Sequence, residues 1–478
     1  MSNLGLHFIY RSLASRGVLR VERFFTDTAP FTFETGTDIS NAFALLFSVS
    51  YEEDYLDLIR ILVTAGIEPL RSRREGKPFI IAGGPAVSAN PLPLSDIVDA
   101  AALGEGEDTI DEIAEILEFA DHDDRISVIE RLAKIESIYV PSIPDRIAVI
   151  KHGSSEGPFP HSIILSSDTV FPDTLLIETG RGCPGSCGFC LARSLYRPYR
   201  PAPVEAIAEL LEKTVGKVNK LGLVSTAVIS HPRFKEIIEM ILDYKLSVGF
   251  SSFKAEDIDA EKASMLSAAG VRSASLAPES GSEKVRFRLG KKVPDEVYLN
   301  AVKELVENGI LNINLYMLTG CPGENDKAFD QTGIFLKRIK EVSGRGKISV
   351  HTNVVVPKPW TPLQFYPIPS IGELTRNIAA ISKMCRDTGI SSDAKSIRSS
   401  LRQAILSIGG SGAGKALLAY SGGSISWKKA LRENRTDPDQ IHRERGIDQP
   451  LPWERIAGPC RKDTLLAGYR KMVDLKSP

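Results

Sequence analysis

The sequence predicts an α/β protein in three parts: a doubly wound Rossmann-like amino-terminal domain, a partial TIM-like (β/α)6 barrel, and a mainly helical carboxyl-terminal segment. Three observations carry this reading. Short β-rich runs alternate with helix-length amphipathic stretches on both sides of residues 121–170. The later series supplies six strand patterns with five intervening helices, each connection long enough for a crossover. Three cysteines crowd into residues 183–190, directly after the first strand of that series.

In order along the chain, the pattern predicts a helix over 3–16, a strand over 18–25, an apolar strand over 42–49 and a helix over 55–65. Residues 79–82 read as a buried parallel strand feeding Gly83-Gly84-Pro85, where the backbone must turn tightly or approach something closely. After the apolar run 97–103, the loop Gly104-Glu105-Gly106-Glu107-Asp108 opens a helix whose first-turn acids suit its dipole. The polar clusters at 121–124 and 152–158 mark a bridging segment, so the domains are expected at 1–120 and 171–365, with a linker over 121–170. Barrel strands are predicted at 174–179, 221–229, 246–252, 271–277, 311–319 and 347–356, with helices at 204–216, 232–244, 259–269, 294–309 and 325–342. Residues 366–478 lose the alternation and are expected to form a helical and irregular cap.

The 478 residues are 42% hydrophobic and 25% charged, too apolar for disorder and too many for one ordinary core. With 59 Lys+Arg against 60 Asp+Glu, no overall field attracts nucleic acid or an anionic membrane. No run approaches the roughly 20 apolar residues of a membrane helix and no signal peptide opens the chain, so a cytoplasmic location is expected. Six cysteines are too few for a disulfide scaffold.

Cys183, Cys187 and Cys190 have the spacing C-x3-C-x2-C. Three thiolates this close can wrap one inorganic core and leave one iron of a four-iron, four-sulfur (4Fe-4S) cluster without a protein ligand, free to chelate S-adenosylmethionine. A zinc site would want a fourth ligand, yet no histidine lies closer than His161 or His231; a redox Cys187–Cys190 pair would leave Cys183 unexplained.

This constellation, with Phe189 before the third cysteine, resembles the signature of radical S-adenosylmethionine (radical SAM) enzymes. The resemblance implies a 4Fe-4S cluster on the three cysteines and a SAM site at the strand ends. Glu279, in Pro278-Glu279-Ser280-Gly281, resembles the ribose contact, and Gly320, in Thr319-Gly320-Cys321-Pro322-Gly323-Glu324, lies in the adenine-side motif. Val356-Pro357-Lys358-Pro359-Trp360 resembles the sixth-strand ending. Phe189 and, toward the methionyl part, Ser225, Ser252 and Lys254 complete that set. Cys321, on the active face, is a candidate catalytic thiol, with small apolar filler as the alternative.

The first domain resembles the cobalamin-binding domain that precedes the barrel in many members of that superfamily. Ser48, Ser50, Gly83, Gly84, Gly104, Glu105 and Gly106 fall on its strand-end loops and are the expected corrin contacts. Two departures stand out. No D-x-H-x-x-G offers a lower cobalt ligand, since His7 and His122 lack that context, and the family's first strand is missing before Met1-Ser2-Asn3-Leu4-Gly5, implying a start placed too late or a decayed domain.

The resemblance as a whole implies a cobalamin-dependent methyltransferase acting on an unactivated carbon. Its acceptor could be a protein residue such as a glutamine of methyl-coenzyme M reductase, and its electron donor a ferredoxin or flavodoxin. The alternatives are a corrinoid-free radical enzyme acting on RNA or a small molecule, and a non-catalytic cluster scaffold or sensor. Gly409-Gly410-Ser411-Gly412-Ala413-Gly414-Lys415 imitates a phosphate loop, but Ala416 replaces the magnesium-binding hydroxyl, and it is read as a Gly-rich turn. Tyr196-Arg197-Pro198-Tyr199-Arg200-Pro201 is read as a loop bracing the cluster rather than an RNA contact.

Overall fold

The computed structural model describes all residues except 1–2, 121–123, 154–158, 215, 447 and 474–478. His122 and parts of both polar clusters of the bridging segment thus lie outside the described residues. The first domain begins with helix α1 (Leu4–Ala14), capped by the Asn3 side chain, which accepts from Leu6 N at 3.0 Å. Strand β1 (Ala44–Ser48), helix α2 (Asp54–Thr64), strands β2 (Phe79–Gly83) and β3 (Ala100–Ala102), helix α3 (Gly106–Glu118) and strand β4 (Ile138–Tyr139) follow. The sheet order is β1-β2-β3-β4, parallel except for β4. Alternation along β2 sends Ile80 and Ala82 toward Leu58, Ile59 and Leu62 of α2, and Phe79 and Ile81 toward Phe8 of α1 and Ile110 and Ile113 of α3. Helices thus cover both faces, as a doubly wound sheet requires.

Two expectations for this region change. Residues 18–25 form no strand: their charged side chains bond locally, Arg20 to Glu22 and Arg23 to Glu34 (Nε to Oε1, 2.6 Å), and Phe24 packs edge-on against Phe47 at 5.3 Å. Residues 138–139, expected in the linker, pair with Ala101 and Ala102 instead; a two-residue strand is too short to show alternation in sequence.

The barrel strands are β5 (Leu175–Glu178), β6 (Lys220–Val224), β7 (Ser247–Phe250), β8 (Ser273–Glu279), β9 (Asn312–Thr319) and β10 (Lys347–Val354). The intervening helices are α4 (Val204–Thr214), α5 (Phe234–Asp243), α6 (Ala260–Ala268), α7 (Asp295–Glu307) and α8 (Asp326–Val342). All six strands are parallel in two arcs, β5-β6-β7 and β8-β9-β10, joined by a bridge between Phe253 and Leu276. The second strand stops at Val224; residues 225–229, expected to continue it, turn away.

Helix α9 (Ile371–Asp387) leads to a seventh parallel strand, β11 (Ser391–Ala394), paired with β10 from Ser349↔Ser391 to Thr352↔Ala394. The segment expected to be only a cap therefore extends the barrel. Ser391-Ser392-Asp393-Ala394 carries no apolar signature because all four residues are exposed at a sheet edge, held by backbone pairing and by polar side-chain bonds of Ser391 and Asp393 to the neighbouring strand. The rest is helical, with α10 (Ile397–Ile408), α11 (Ser411–Ser421) and α12 (Lys462–Val473). Gly409 and Gly410 form the turn between α10 and α11, and Gly414 brings α11 against the Pro93 backbone, where a Cβ would overlap. Residues 456–457 pair with 148–149, tying the tail to the bridging segment. No helix among the described residues is long and apolar enough to cross a membrane.

At the end of β2 the chain turns at Gly84 with φ +105°, where a Cβ would lie 2.5 Å from Val49 O. Gly84→Ala is expected to lower stability in chemical denaturation by about 3 kcal/mol or more, since strain adds to overlap with backbone. Gly66→Ala, at φ +67° with open space around it, should cost only about 1 kcal/mol.

Candidate active site

The loop bearing Cys183, Cys187 and Cys190 leaves the carboxyl end of β5, where parallel barrels place their chemistry. All three are free, partly exposed thiols. The loop is strapped from two sides. Gly188 N donates to Leu289 O at 2.8 Å and Ser186 Oγ to Gly290 O at 2.6 Å, with Gly290 at φ +80° against the Ser186 carbonyl. Arg193 Nε donates to Gly185 O at 2.7 Å, and Met472 of α12 closes over Gly188.

Burial pushes the Cys187 thiol up to about 12, opposed by the Lys291 ammonium, and each neighbouring thiol raises it further. The Cys190 thiol is raised for the same main reason. Thiols so placed become thiolates only when a metal charge compensates them. Among the described residues no three His, Cys, Asp or Glu side chains close on one point, as a single tetrahedral ion demands. A cubane takes each thiolate on a separate iron, and three sulfurs spread along one strapped loop fit it.

Glu279, at the end of β8, has φ +64° where the β8–β9 register slips. Its buried carboxyl is raised by desolvation and held by Lys291, whose Nζ donates to Glu279 Oε1 at 3.0 Å and also to Ala277 O. Lys291 is thus bonded to Glu279 and its charge also acts on Cys187, and counting strand ends misses it, because the chain returns it from beyond the short helix Glu283–Arg288. Gly320 (φ +81°) donates its N–H to Glu324 Oε2 at 2.6 Å. Glu324 also accepts from Thr319 Oγ1 and Asn377 Nδ2, and burial still lifts its carboxyl from its ordinary 4.5 to about 7.

Cys321 does not fit a catalytic thiol. It is 3% exposed, packs in an apolar cluster with Val285, Leu289, Leu363 and Met472, and desolvation raises it well above the ordinary thiol range. Phe189 packs against the same cluster. Lys254 is paired with Glu256 at 3.2 Å.

A cavity of about 620 Å³ lies between the first domain and the cysteine loop. Ser48, Ser50, Gly83, Gly84, Gly104, Glu105 and Gly106 all line it, and Ser225 and Ser252 face it from the barrel. Phe189, Lys254, Glu279, Gly320 and the cysteines stand outside it. Leu4, Phe8, Ile110 and Ile113 give it an apolar wall, whereas Glu178, Arg181 and Gly182 bring its far side next to Cys183. Gly104 is required by the chain itself, since a Cβ there would overlap the Lys151 backbone.

Glu105 is committed to two arginines: Oε2 accepts from Arg181 Nη1 at 2.6 Å and Oε1 from Arg200. Arg181 also pairs with Glu107 at 2.6 Å and Glu178 at 2.7 Å, and these carboxylates hold its guanidinium firmly charged. Nothing in sequence spacing marks this cluster, whose partners are 76 and 95 residues apart.

Two outcomes follow. Lys291→Met leaves Glu279 buried without a counter-charge and is expected to cost about 3 kcal/mol in chemical denaturation, most of it recovered when Glu279→Gln is added. The raised Glu324 carboxyl favours the folded state most below its unfolded value, and that contribution fades as pH rises from 4.5 to about 7. Glu324→Gln should flatten the pH dependence of stability across that window.

Among proteins of known sequence, the chain is 27% identical over 439 residues, 91% of both chains, to an uncharacterized protein of Methanocaldococcus jannaschii. Among solved structures it is similar to TsrM from Kitasatospora setae, a radical S-adenosylmethionine methyltransferase with cobalamin and a 4Fe-4S cluster bound (14% identity, TM-score 0.51, 75% of this chain and 70% of that one). It is also similar to OxsB, a cobalamin-dependent S-adenosylmethionine radical enzyme with aqua-cobalamin and S-adenosylmethionine bound (18% identity, TM-score 0.51, 80% of this chain and 54% of that one). At these identities the two structures speak to the fold. Residues 5–141 match the family model described as radical SAM proteins, N-terminal, and residues 177–336 match that of the radical SAM superfamily. The cysteine loop at the mouth of a six-unit barrel and both matched segments lead to one conclusion: the chain belongs to the radical SAM superfamily.

Proposed function

We propose that this protein is a cobalamin-dependent radical SAM methyltransferase that places a methyl group on an unactivated carbon. The observation that carries the reading is the cavity, which runs from the strand ends of the first domain to the residues flanking Cys183. Similarity in fold to TsrM and OxsB, whose structures hold cobalamin, supports it.

Within this reading Cys183, Cys187 and Cys190 hold the cluster, and Lys291, Glu279 and Gly320 border the co-substrate beside it. The bound cluster would supply the electron that cleaves S-adenosylmethionine, and cobalamin the methyl group. The chain's part is placement. Leu4, Phe8, Ile110 and Ile113 exclude water from one side of the cavity, and the Glu105–Arg181 pair sets the spacing between the first domain and the cysteine loop. No histidine lines the cavity among the described residues, so no imidazole ligand to cobalt is part of the proposal. Nothing in the cavity selects a glutamine of methyl-coenzyme M reductase or any other protein side chain, and the reading stops at the carbon acceptor. A ferredoxin or flavodoxin donor and a cytoplasmic location belong to the same proposal.

Anaerobically reconstituted protein is expected to carry about four irons per chain and to cleave S-adenosylmethionine once reduced. Cys183→Ala, Cys187→Ala and Cys190→Ala should each abolish cleavage. Added cobalamin should co-elute with the chain and show corrinoid absorbance. Cleavage without corrinoid binding would leave a corrinoid-free radical enzyme, and cluster without cleavage a scaffold or sensor.

A further inference from the structure

The interior of the second barrel arc is polar. Ile313, Leu315 and Met317 of β9 and Ile348 and Val350 of β10 pack with Leu305, Phe335, Leu336 and Ile381 of the surrounding helices, so the alternate residues face the barrel interior. There the strand register builds rows across β9, β10 and β11. Tyr316, His351 and Asp393 form one row: the Tyr316 and His351 rings stack at 5.0 Å and His351 Nδ1 meets Asp393 Oδ2 at 2.7 Å. Barrel interiors are ordinarily filled by branched apolar side chains, and a half-exposed polar row there needs another explanation.

One step toward the mouth, Lys395 N donates to Thr352 O, which carries the register on and sets Asn353 opposite Lys395. The Lys395 ammonium has no carboxylate partner among the described residues. It donates instead to Tyr51 Oη at 2.7 Å and lies 4.5 Å from the Tyr51 ring. The nearby ammonium of Lys358 is, by contrast, fully engaged by the buried Glu52. Tyr51 directly follows Ser50, which lines the interdomain cavity, so the unpaired cation stands at the junction of barrel mouth and first domain.

We propose that Lys395 and Asn353 bind an anionic group, a carboxylate or phosphate, of the substrate, whose remainder lies along the Tyr316–His351–Asp393 row. This rests on the reading of the barrel mouth as the reaction chamber. It makes the substrate a polar, anion-bearing molecule rather than a hydrocarbon chain.

The test is amine footprinting of the full-length chain by limited acetylation and mass spectrometry, with succinate, pyrophosphate, uncharged succinamide and S-adenosylmethionine as separate probes. Succinate or pyrophosphate at millimolar concentration should slow acetylation of Lys395 about fivefold, leaving exposed Lys428 unchanged. Which of the two protects separates a carboxylate from a phosphate substrate. Asn353→Asp, which supplies Lys395 with an internal carboxylate, should remove the protection. The proposal falls if neither anion protects, if succinamide protects equally, if Asn353→Asp retains full protection, or if S-adenosylmethionine alone protects, since the cation would then serve the co-substrate. Cleavage of S-adenosylmethionine by the same wild-type preparation is measured in parallel. Its absence with protection intact would overturn the proposed function and leave the anion site, whereas cleavage without protection would overturn the anion site alone.

Discussion

Arg181 is the point on which the arrangement of the two domains depends. It lies two residues before Cys183, and its guanidinium is shared among Glu178 at the end of the first barrel strand and Glu105 and Glu107 of the first domain. Glu105 is 6% exposed and also engages Arg200, so the cluster is largely withdrawn from solvent and its pairs escape the screening that makes surface ion pairs weak. Removing one partner leaves an uncompensated charge in the cavity wall. The first domain therefore cannot shift without pulling on the loop that carries the cysteines. A shared apolar core, in which Tyr55 and Leu58 of the first domain join Trp360, Ile405 and Leu417, holds the two halves together, and because such packing is non-directional the hydrogen-bonded charge at Arg181 fixes their register beside the cysteine loop.

The same logic separates glycines that serve the chain from those that could serve a ligand. Gly84 and Gly104 both line the cavity, yet each is demanded by a neighbouring backbone, Val49 in one case and Lys151 in the other. Gly83 is different: a Cβ there would meet only Ala102, its Cβ and carbonyl oxygen, at ordinary contact distance. Small residues at strand ends thus have two causes, and only the contacts around each position distinguish them.

Much of the architecture was legible in the sequence because parallel strands buried by helices must be apolar and helices between them amphipathic. The six barrel strands and five helices follow from that requirement; the cysteine loop was legible from its spacing, and the seven first-domain residues that line the cavity from the resemblance of their loops to a cobalamin-binding domain. What escaped notice was whatever lacks an alternating apolar face or a partner close in sequence. The strand Ser391–Ala394 has no apolar face, Ile138–Tyr139 is too short to alternate, Arg181 and Arg200 find their Glu105 partner 76 and 95 residues away, and Lys291 reaches Glu279 from beyond an intervening helix. Residues 18–25 erred the other way, because their alternation reflects local charge pairing rather than a buried strand. Cys321 sits at a strand end facing the active side, and only its apolar surroundings show it to be filler.

The carboxyl-terminal segment takes part in the chamber rather than lying over it. Strand β11 supplies Asp393 to the barrel interior and Lys395 follows directly after it, Gln403 of α10 donates to the buried Glu52 that holds Lys358, and Met472 of α12 rests on the cysteine loop at Gly188. These contacts reach the first domain, the barrel mouth and the cluster loop from a single stretch of chain. A residue change deep in the tail can therefore alter the site without touching a ligand. Removing the stretch would leave a buried Glu52 without its amide partner, an exposed edge on β10 and an uncovered cysteine loop. The barrel core that the superfamily pattern marks is in this protein only part of the structural unit, and the remainder of its active-site wall comes from sequence beyond that pattern.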